Sequence, residues 1–414
     1  MRILMLSNIF PPGFMGGYEL GAFEVACGLT SRGHQVDVLT SDYFVDDMSS
    51  RNSGTPQVWR TLDCGEPSRS PAEHRERVGL YGCVVPRNLR EIAGRLVTTK
   101  PDAVLCFNLA GLGAPSILQL LVASGIRPVV YLMDHTFSTL CHIPNWKAEF
   151  EKAFGTTYWP EMTRFIFVSQ GLRREIEAAL GLTASHAQIV PGWCDDRAVA
   201  EPVLREGPVR FVFASRIAEH KGVDLLLDAC RALLDARHLD FSVDLYGAGD
   251  VHLMLQRTTA LRLQHHLQYK GAPEKSELMP KLADYDALLF PSWHREPFGF
   301  VVAEAAIAGC APIVSYGVGA AEWFLDNVDC IKIERDLECL KQAMWQMINM
   351  RPEQRMLMRQ RAYMTATRHF RFSNALTCIE ATLQEAALPP SRDPRQMEAA
   401  LAVLTEVWRA PPSG

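Results

Sequence analysis

Short apolar runs alternate with stretches of helical periodicity along the chain. Near-continuous apolar runs of this kind mark strands buried on both faces, the habit of parallel sheets whose strands are joined by helices. In the first half they predict strands near 2–8, 35–40, 103–107, 128–132 and 165–168. Leu20, Phe23 and Cys27 recur at helical spacing, so a helix is expected from Tyr18 to Ser31, ended by Gly33. A second series begins at Val209-Arg210-Phe211-Val212-Phe213-Ala214 and continues near 242–246, 267–270, 287–290 and 311–315. The Pro- and Asp-containing piece from Pro191 to Pro208 separates the two series and reads as the hinge. The pattern predicts an α/β protein of two domains, residues 1–195 and 196–372, each a parallel sheet layered with helices. A closing helix is expected from about Ser373 to Ala387, within 373–388, and the tail 389–414 carries no assignable role. Residues 42–82, rich in Ser, Pro, Gly and charge, read as a surface insertion in which only Val58 to Leu62 looks strand-like.

Composition narrows the function. At 414 residues and 48% hydrophobic content, the chain exceeds one ordinary core and fills two of about 150–200 residues each. Net charge is −5 with both signs interspersed, so there is no phosphate-backbone footprint and nucleic acid is not an expected partner. No basic-then-apolar leader and no long apolar run occurs, which points to a soluble, cytoplasmic protein. The first 195 residues carry 17 basic and 19 acidic side chains. Only 88–100, with Arg90, Arg95 and Lys100, offers a basic face, so at most weak peripheral membrane contact is expected. Eleven cysteines form no C-x-x-C pair, and Cys27, Cys106 and Cys310 read as reduced core residues, not disulfides or zinc ligands.

The richest local pattern is His294-Arg295-Glu296-Pro297-Phe298-Gly299-Phe300-Val301-Val302-Ala303-Glu304-Ala305. Pro297 and Gly299 break the preceding strand, the apolar run from Phe300 to Ala308 propagates a helix, and Gly309 supplies a left-handed cap. A helix N-terminus near Gly299 favours an anion, and glycine lets a phosphate approach the chain closely. Glu296 and Glu304 flank that anion and, as ionised carboxylates, accept hydrogen bonds from hydroxyls. Phosphate with hydroxyls on both sides describes a nucleotide sugar.

Glu-Pro-Phe-Gly-x4-Glu-Ala, read as E-x7-E, resembles the signature of the retaining glycosyltransferases of family 4, which have the GT-B fold. Gly16-Gly17 after the first strand, Arg216-Ile217-Ala218-Glu219-His220-Lys221-Gly222 and Gly247-Ala248-Gly249 occur in the family's order, so the resemblance covers roughly residues 1–388. It implies two Rossmann-like domains facing across a cleft, with the closing helix crossing back onto the first. It also implies transfer of a hexose-type sugar from a nucleoside-diphosphate sugar, UDP being the family's commonest nucleotide, by metal-independent front-face displacement. No cofactor is expected. The acceptor is left open among saccharides, lipid carriers and natural products, in bacterial polysaccharide, glycolipid or glycoside synthesis.

The resemblance assigns roles residue by residue. Arg216 and Lys221 would neutralise the leaving diphosphate at the carboxyl edge of the sheet; an ordinary surface ion pair is the plainer role for Arg216. Glu304 would take the ribose hydroxyls, Glu296 those of the donor sugar, and Phe298, Gly299, Phe300 and Val301 would line the donor site. Gly247 and the loop of Lys270 and Gly271 would flank the nucleotide. Gly16-Gly17 would close over the donor phosphates, or serve only as a strand-to-helix turn. Asp134 and His135 share the task of orienting donor or acceptor; a structural hydrogen bond is the alternative for His135. Gly317-Val318-Gly319-Ala320-Ala321-Glu322 matches a further Gly-Gly-x-x-Glu element, with a plain turn as its alternative. Trp146, Tyr158 and Trp159 could stack on a sugar, but filling core is the stronger reading.

Other classes fit less well. Asp284-Tyr285-Asp286 is the one D-x-D, but it precedes a strand where a metal-holding D-x-D of a GT-A transferase would follow one. Gly247-Ala248-Gly249-Asp250-Val251-His252 lacks the third glycine of a dinucleotide fingerprint, and no P-loop or G-x-S-x-G elbow occurs. A nucleotide-sugar epimerase or hydrolase using the same pocket is the alternative within enzymes. A silent nucleotide-binding module would have no need of the intact Arg216, Lys221, Glu296 and Glu304.

Overall fold

The computed structural model describes residues 1–13, 16–43, 56–64, 84–135, 137, 148, 150–151, 159–181, 183–184, 186–195, 201–387, 395, 398–399 and 402. Two compact units divide the chain: Met1–Val168 with Leu172–Val190 and Leu376–Gly414, and Ser169–Gly171 with Pro191–Ala375.

In the first unit, strands β1 (Arg2–Ser7), β2 (Gln35–Ser41), β3 (Gln57–Leu62), β4 (Ala103–Asn108), β5 (Val129–Leu132), β6 (Arg164–Phe167) and β7 (Ala187–Ile189) form one sheet in the order β3-β2-β1-β4-β5-β6-β7. Every pairing is parallel. The helices are α1 (Gly17–Ser31), α2 (Pro86–Thr99), α3 (Ala114–Ala123), α4 (Trp159–Met162) and α5 (Gln170–Leu180). The middles of central β1 and β4 are apolar because both faces are covered: Leu4, Met5, Val104 and Leu105 are fully buried. The strand-like stretch Val58 to Leu62 within 42–82 is part of β3, an integral edge strand of the sheet, with Trp59 under the Arg95 guanidinium at 3.6 Å. The rest of that segment, apart from its ends, lies outside the described residues, as do Trp146, Tyr158 and nearly all of the tail. Trp159 is core, buried and stacked on Phe137 at 5.8 Å.

In the second unit, β8 (Val209–Ala214), β9 (Phe241–Tyr246), β10 (Leu267–Tyr269), β11 (Ala287–Phe290), β12 (Ala311–Ser315) and β13 (Ile331–Ile333) form a parallel sheet in the order β10-β9-β8-β11-β12-β13. Its helices are α6 (Val223–Asp235), α7 (Val251–Ala260), α8 (Lys275–Leu282), α9 (Phe300–Ile307), α10 (Leu337–Asn349) and α11 (Pro352–His369). Phe211, Phe213, Leu226, Val243, Leu289, Ile313 and Met344 build its core. Asp286 is buried and leads into β11, accepting from the Arg210 amide at 2.9 Å, with Arg359 3.7 Å away. Among the described residues no helix is long and apolar enough to cross a membrane.

The closing helix α12 (Phe372–Ala386) is counted with the first unit from Leu376 onward. There the Glu380 carboxylate takes Arg32 Nη1 at 2.6 Å and His34 Nε2 at 2.7 Å, and the Met1 amino group lies 3.1 Å from His34 Nδ1. Hydrogen bonds from His34 and Arg32 hold the Glu380 carboxyl below its ordinary pKa of 4.5. A depressed carboxyl pKa stabilises the fold above the unfolded value, and that contribution is lost as pH falls through the folded one. Replacing Glu380 with Gln should therefore lower Tm near neutrality, and the gap from wild type should close as the pH drops below 4.5. Thermal melts of the two proteins across pH 3–7 check this, and a gap that stays constant over that range would contradict it.

Candidate active site

Four neighbouring strands of the second sheet, β9, β8, β11 and β12, release their carboxyl-terminal loops along one edge. In an open parallel sheet that edge is where ligands bind. The loop after β8 carries Arg216 and, through a single 3-10 turn, Glu219–Lys221. The loop after β11 carries Ser292 and Glu296 and ends at Gly299, whose left-handed φ of +83° makes it the N-cap of α9.

These two loops meet side chain to side chain. Lys221 Nζ bonds Glu296 Oε2, the same oxygen that Ser292 Oγ reaches at 2.9 Å. The pair is largely shielded, with side-chain exposures of 18% and 13%. Glu296 Oε1 has no partner among the described residues and can accept from a hydroxyl. The Arg216 side chain is exposed and makes no ion pair among the described residues, so the plainer surface-pair role is not what is seen. His220 senses this concentration of charge. Burial lowers its pKa first, then Lys221, Arg216 and Arg335, against an opposing pull from Glu296. The edge is cationic with one embedded carboxylate.

Glycines explain how the loops come so close. A Cβ at Gly222, where φ is +82°, would fall on the Pro291 carbonyl. The loop after β9 pairs with that after β8 through one parallel bridge: Ile217 N donates to Ala248 O at 2.8 Å and Asp250 N to Ile217 O at 2.8 Å. A side chain at Gly247 or Gly249 would collide with the carbonyls of Ser215 and Ile217. The G-A-G thus shapes the loop that presents Arg216.

The remaining positions sort themselves. Glu304, one turn into α9 and largely buried, has Oε1 2.9 Å from Lys275 Nζ on α8. Phe298 is buried against Phe300 and Phe370, so its ring is not available to a ligand, and Phe300 also packs on Trp193. Val301 is half-buried in the first turn of α9. Lys270 turns to Gln268 at 2.7 Å and Asp244 at 3.7 Å, not to the Lys221–Glu296 pair, while Gly271 O accepts from Gly247 N at 2.9 Å. Gly319 N and Ala320 N donate to the carbonyls of Glu296 and Phe298 at 3.0 and 2.8 Å, fixing the backbone of that loop. Glu322 instead accepts from the amides of Gln170 and Gly171, both at 2.7 Å. Lys275 and Arg335 carry no sequence signal, because their partners lie far along the chain; Ser292 stands only four residues before Glu296 but outside the E-x7-E pattern.

The first unit has a cluster of its own at its sheet edge. Gly16 N donates to Glu19 Oε2 at 2.9 Å as Gly17 opens α1, and Tyr18 Oη donates to Tyr131 O at 2.5 Å. Burial, followed by the charge of Asp134, raises the Tyr18 pKa well above its ordinary value. His135 Nδ1 lies 3.1 Å from Glu175 Oε1 of α5, a partner that the sequence did not suggest.

Two parallel α/β units with loops of this kind define a GT-B transferase. The chain matches the family model of glycosyl transferases group 1 over residues 195–365 and that of Glycosyltransferase Family 4 over residues 15–197. It is 32% identical over 344 residues to a glycogen synthase of Mycobacterium tuberculosis, covering 77% of this chain and 78% of that protein. It is 23% identical over 352 residues to an uncharacterised glycosyltransferase of Methanocaldococcus jannaschii, covering 80% and 84%. Among solved structures, sucrose-phosphate synthase from Thermosynechococcus elongatus superposes with a TM-score of 0.71 at 15% identity, over 93% of this chain and 98% of that one. Anabaena HepE in complex with UDP and glucose superposes with a TM-score of 0.67 at 18% identity, over 93% and 100%. The chain belongs to the group 1, family 4 glycosyltransferases and is a transferase enzyme of GT-B fold.

Gly222→Ala should cost about 1–3 kcal/mol, because the left-handed backbone and the Pro291 carbonyl both oppose a methyl group. Chemical denaturation checks the loss, and unchanged stability would show that the two loops separate freely.

Proposed function

We propose that the enzyme moves a hexose-type sugar from a nucleoside-diphosphate sugar, with uridine as the base, to a hydroxyl acceptor with retention of configuration and without a metal ion. The observation that carries the reading is the Lys221–Glu296 pair beside the N-terminus of α9. A cation, an open carboxylate oxygen and free helix amides stand together where a sugar diphosphate needs all three. HepE, of the same fold, binds UDP and glucose, which supports the nucleotide and the sugar class.

On this reading Arg216, Lys221 and the amides at Gly299 and Phe300 take the pyrophosphate, Glu296 Oε1 takes donor-sugar hydroxyls, and Glu304 takes the ribose. Lys275 must then share Glu304 with the ribose or yield to it. As the bond from the anomeric carbon to the phosphate oxygen breaks, negative charge grows on the diphosphate, and preorganised cations stabilise it. The acceptor oxygen attacks from the face that the phosphate leaves, and its proton passes to the departing phosphate oxygen. Asp134 and His135 orient sugar or acceptor, and Gly16-Gly17 serves the donor phosphates. The acceptor is a saccharide, a lipid-linked sugar or a small natural product, and the enzyme works in the cytoplasm.

Glu296→Gln and Lys221→Ala should each lower turnover of the donor by about a hundredfold or more, since charge stabilisation in a shielded site is worth several kcal/mol. Initial rates, with circular dichroism to confirm folding, check this; near-normal rates in both would sink the assignment. The product's anomeric coupling constant by NMR should match the donor's configuration, and an inverted product would contradict front-face displacement.

A further inference from the structure

We propose that Arg335, just past β13, is a positioning residue that locks the two loops carrying Lys221 and Glu296 into the geometry that grips a diphosphate. Its guanidinium spans them: Nη2 donates to Glu219 O at 2.7 Å and Nε to Pro291 O at 3.1 Å. Glu219 opens the turn that ends at Lys221, and Pro291 opens the stretch that leads to Glu296. The same two loops are joined by Trp293 N donating to His220 O at 2.9 Å, with Gly222 lying against the Pro291 carbonyl. Arg335 is therefore the third strut of one junction, and the one made by a side chain from a third loop. Its charge also reaches the pocket, because it is among the cations that depress the His220 pKa.

The physical case rests on cost. Two carbonyls and two flexible loops must be held so that a long lysine and a glutamate meet with little solvent between them. Misplacing such a pair by about 1 Å can cost roughly a hundredfold in function. A planar guanidinium fixes two acceptors at once in a rigid fork, whereas a lysine ammonium is a single point on a flexible stem. Fork and charge are therefore separable by substitution. The inference rests on the function proposed above, because it takes the gripped group to be a diphosphate.

The test is calorimetric titration of the full chain with UDP, GDP, ADP and dTDP, using wild type, Arg335→Ala and Arg335→Lys, with Tm measured alongside. For the best-binding nucleotide, Kd should weaken about tenfold or more in Arg335→Ala, and Arg335→Lys should stay within about threefold of it, because charge alone does not restore the fork. Tm should change little, since a purely structural brace would lower Tm without moving Kd. Full rescue by lysine, or a Kd equal to wild type in Arg335→Ala, overturns the positioning role while leaving the proposed function standing. Wild type that binds none of the four nucleotides overturns both.

Discussion

The loops after β8 and β11 are held together at the site by the shielded contact between Lys221 and Glu296. Taking two charges out of water is costly, and their attraction repays the cost only when geometry is good and the remaining lone pairs are used. Ser292 on the shared oxygen helps to meet that condition. The adjacency of β8 and β11 in the sheet brings the two loops side by side, and small residues let them touch. Glu296 Oε1 remains for a hydroxyl, and Arg216 remains exposed for an anion. A site that is half neutralised before its ligand arrives is cheaper to keep folded than bare clustered cations.

Much of the fold was legible because parallel strands buried on both faces leave an unbroken apolar run. β1, β4, β8 and β11 fall where the sequence places them, and α9 starts at Gly299 as the Pro-Phe-Gly break requires. The failures share a cause. β7 and β13 are three residues long, too short for periodicity to register, while β3 falls on the stretch Val58 to Leu62 that already looks strand-like. Edge strands meet solvent along one side, so their pattern weakens.

The site divides the same way. The placing of Glu296, Gly299 and Glu304 about one helix start was readable because their relation is local. Lys275, Glu175 and Arg335 gain meaning only through partners brought close by folding; Arg335 and Glu219 are 116 positions apart. Gly247 suggested ligand contact, and the fold shows a further demand on it, the close passage of one loop by another. Glu322 likewise proves to be spent on two backbone amides. A sequence shows which residues could do chemistry, and the folded edge shows which are already occupied.

The most direct test is a crystal structure of the enzyme with UDP. The account predicts pyrophosphate oxygens in contact with Lys221 Nζ, the Arg216 guanidinium and the amides of Gly299 and Phe300, with the ribose hydroxyls on Glu304. Density for the pyrophosphate elsewhere on the chain, with the Lys221–Glu296 junction untouched, would contradict it.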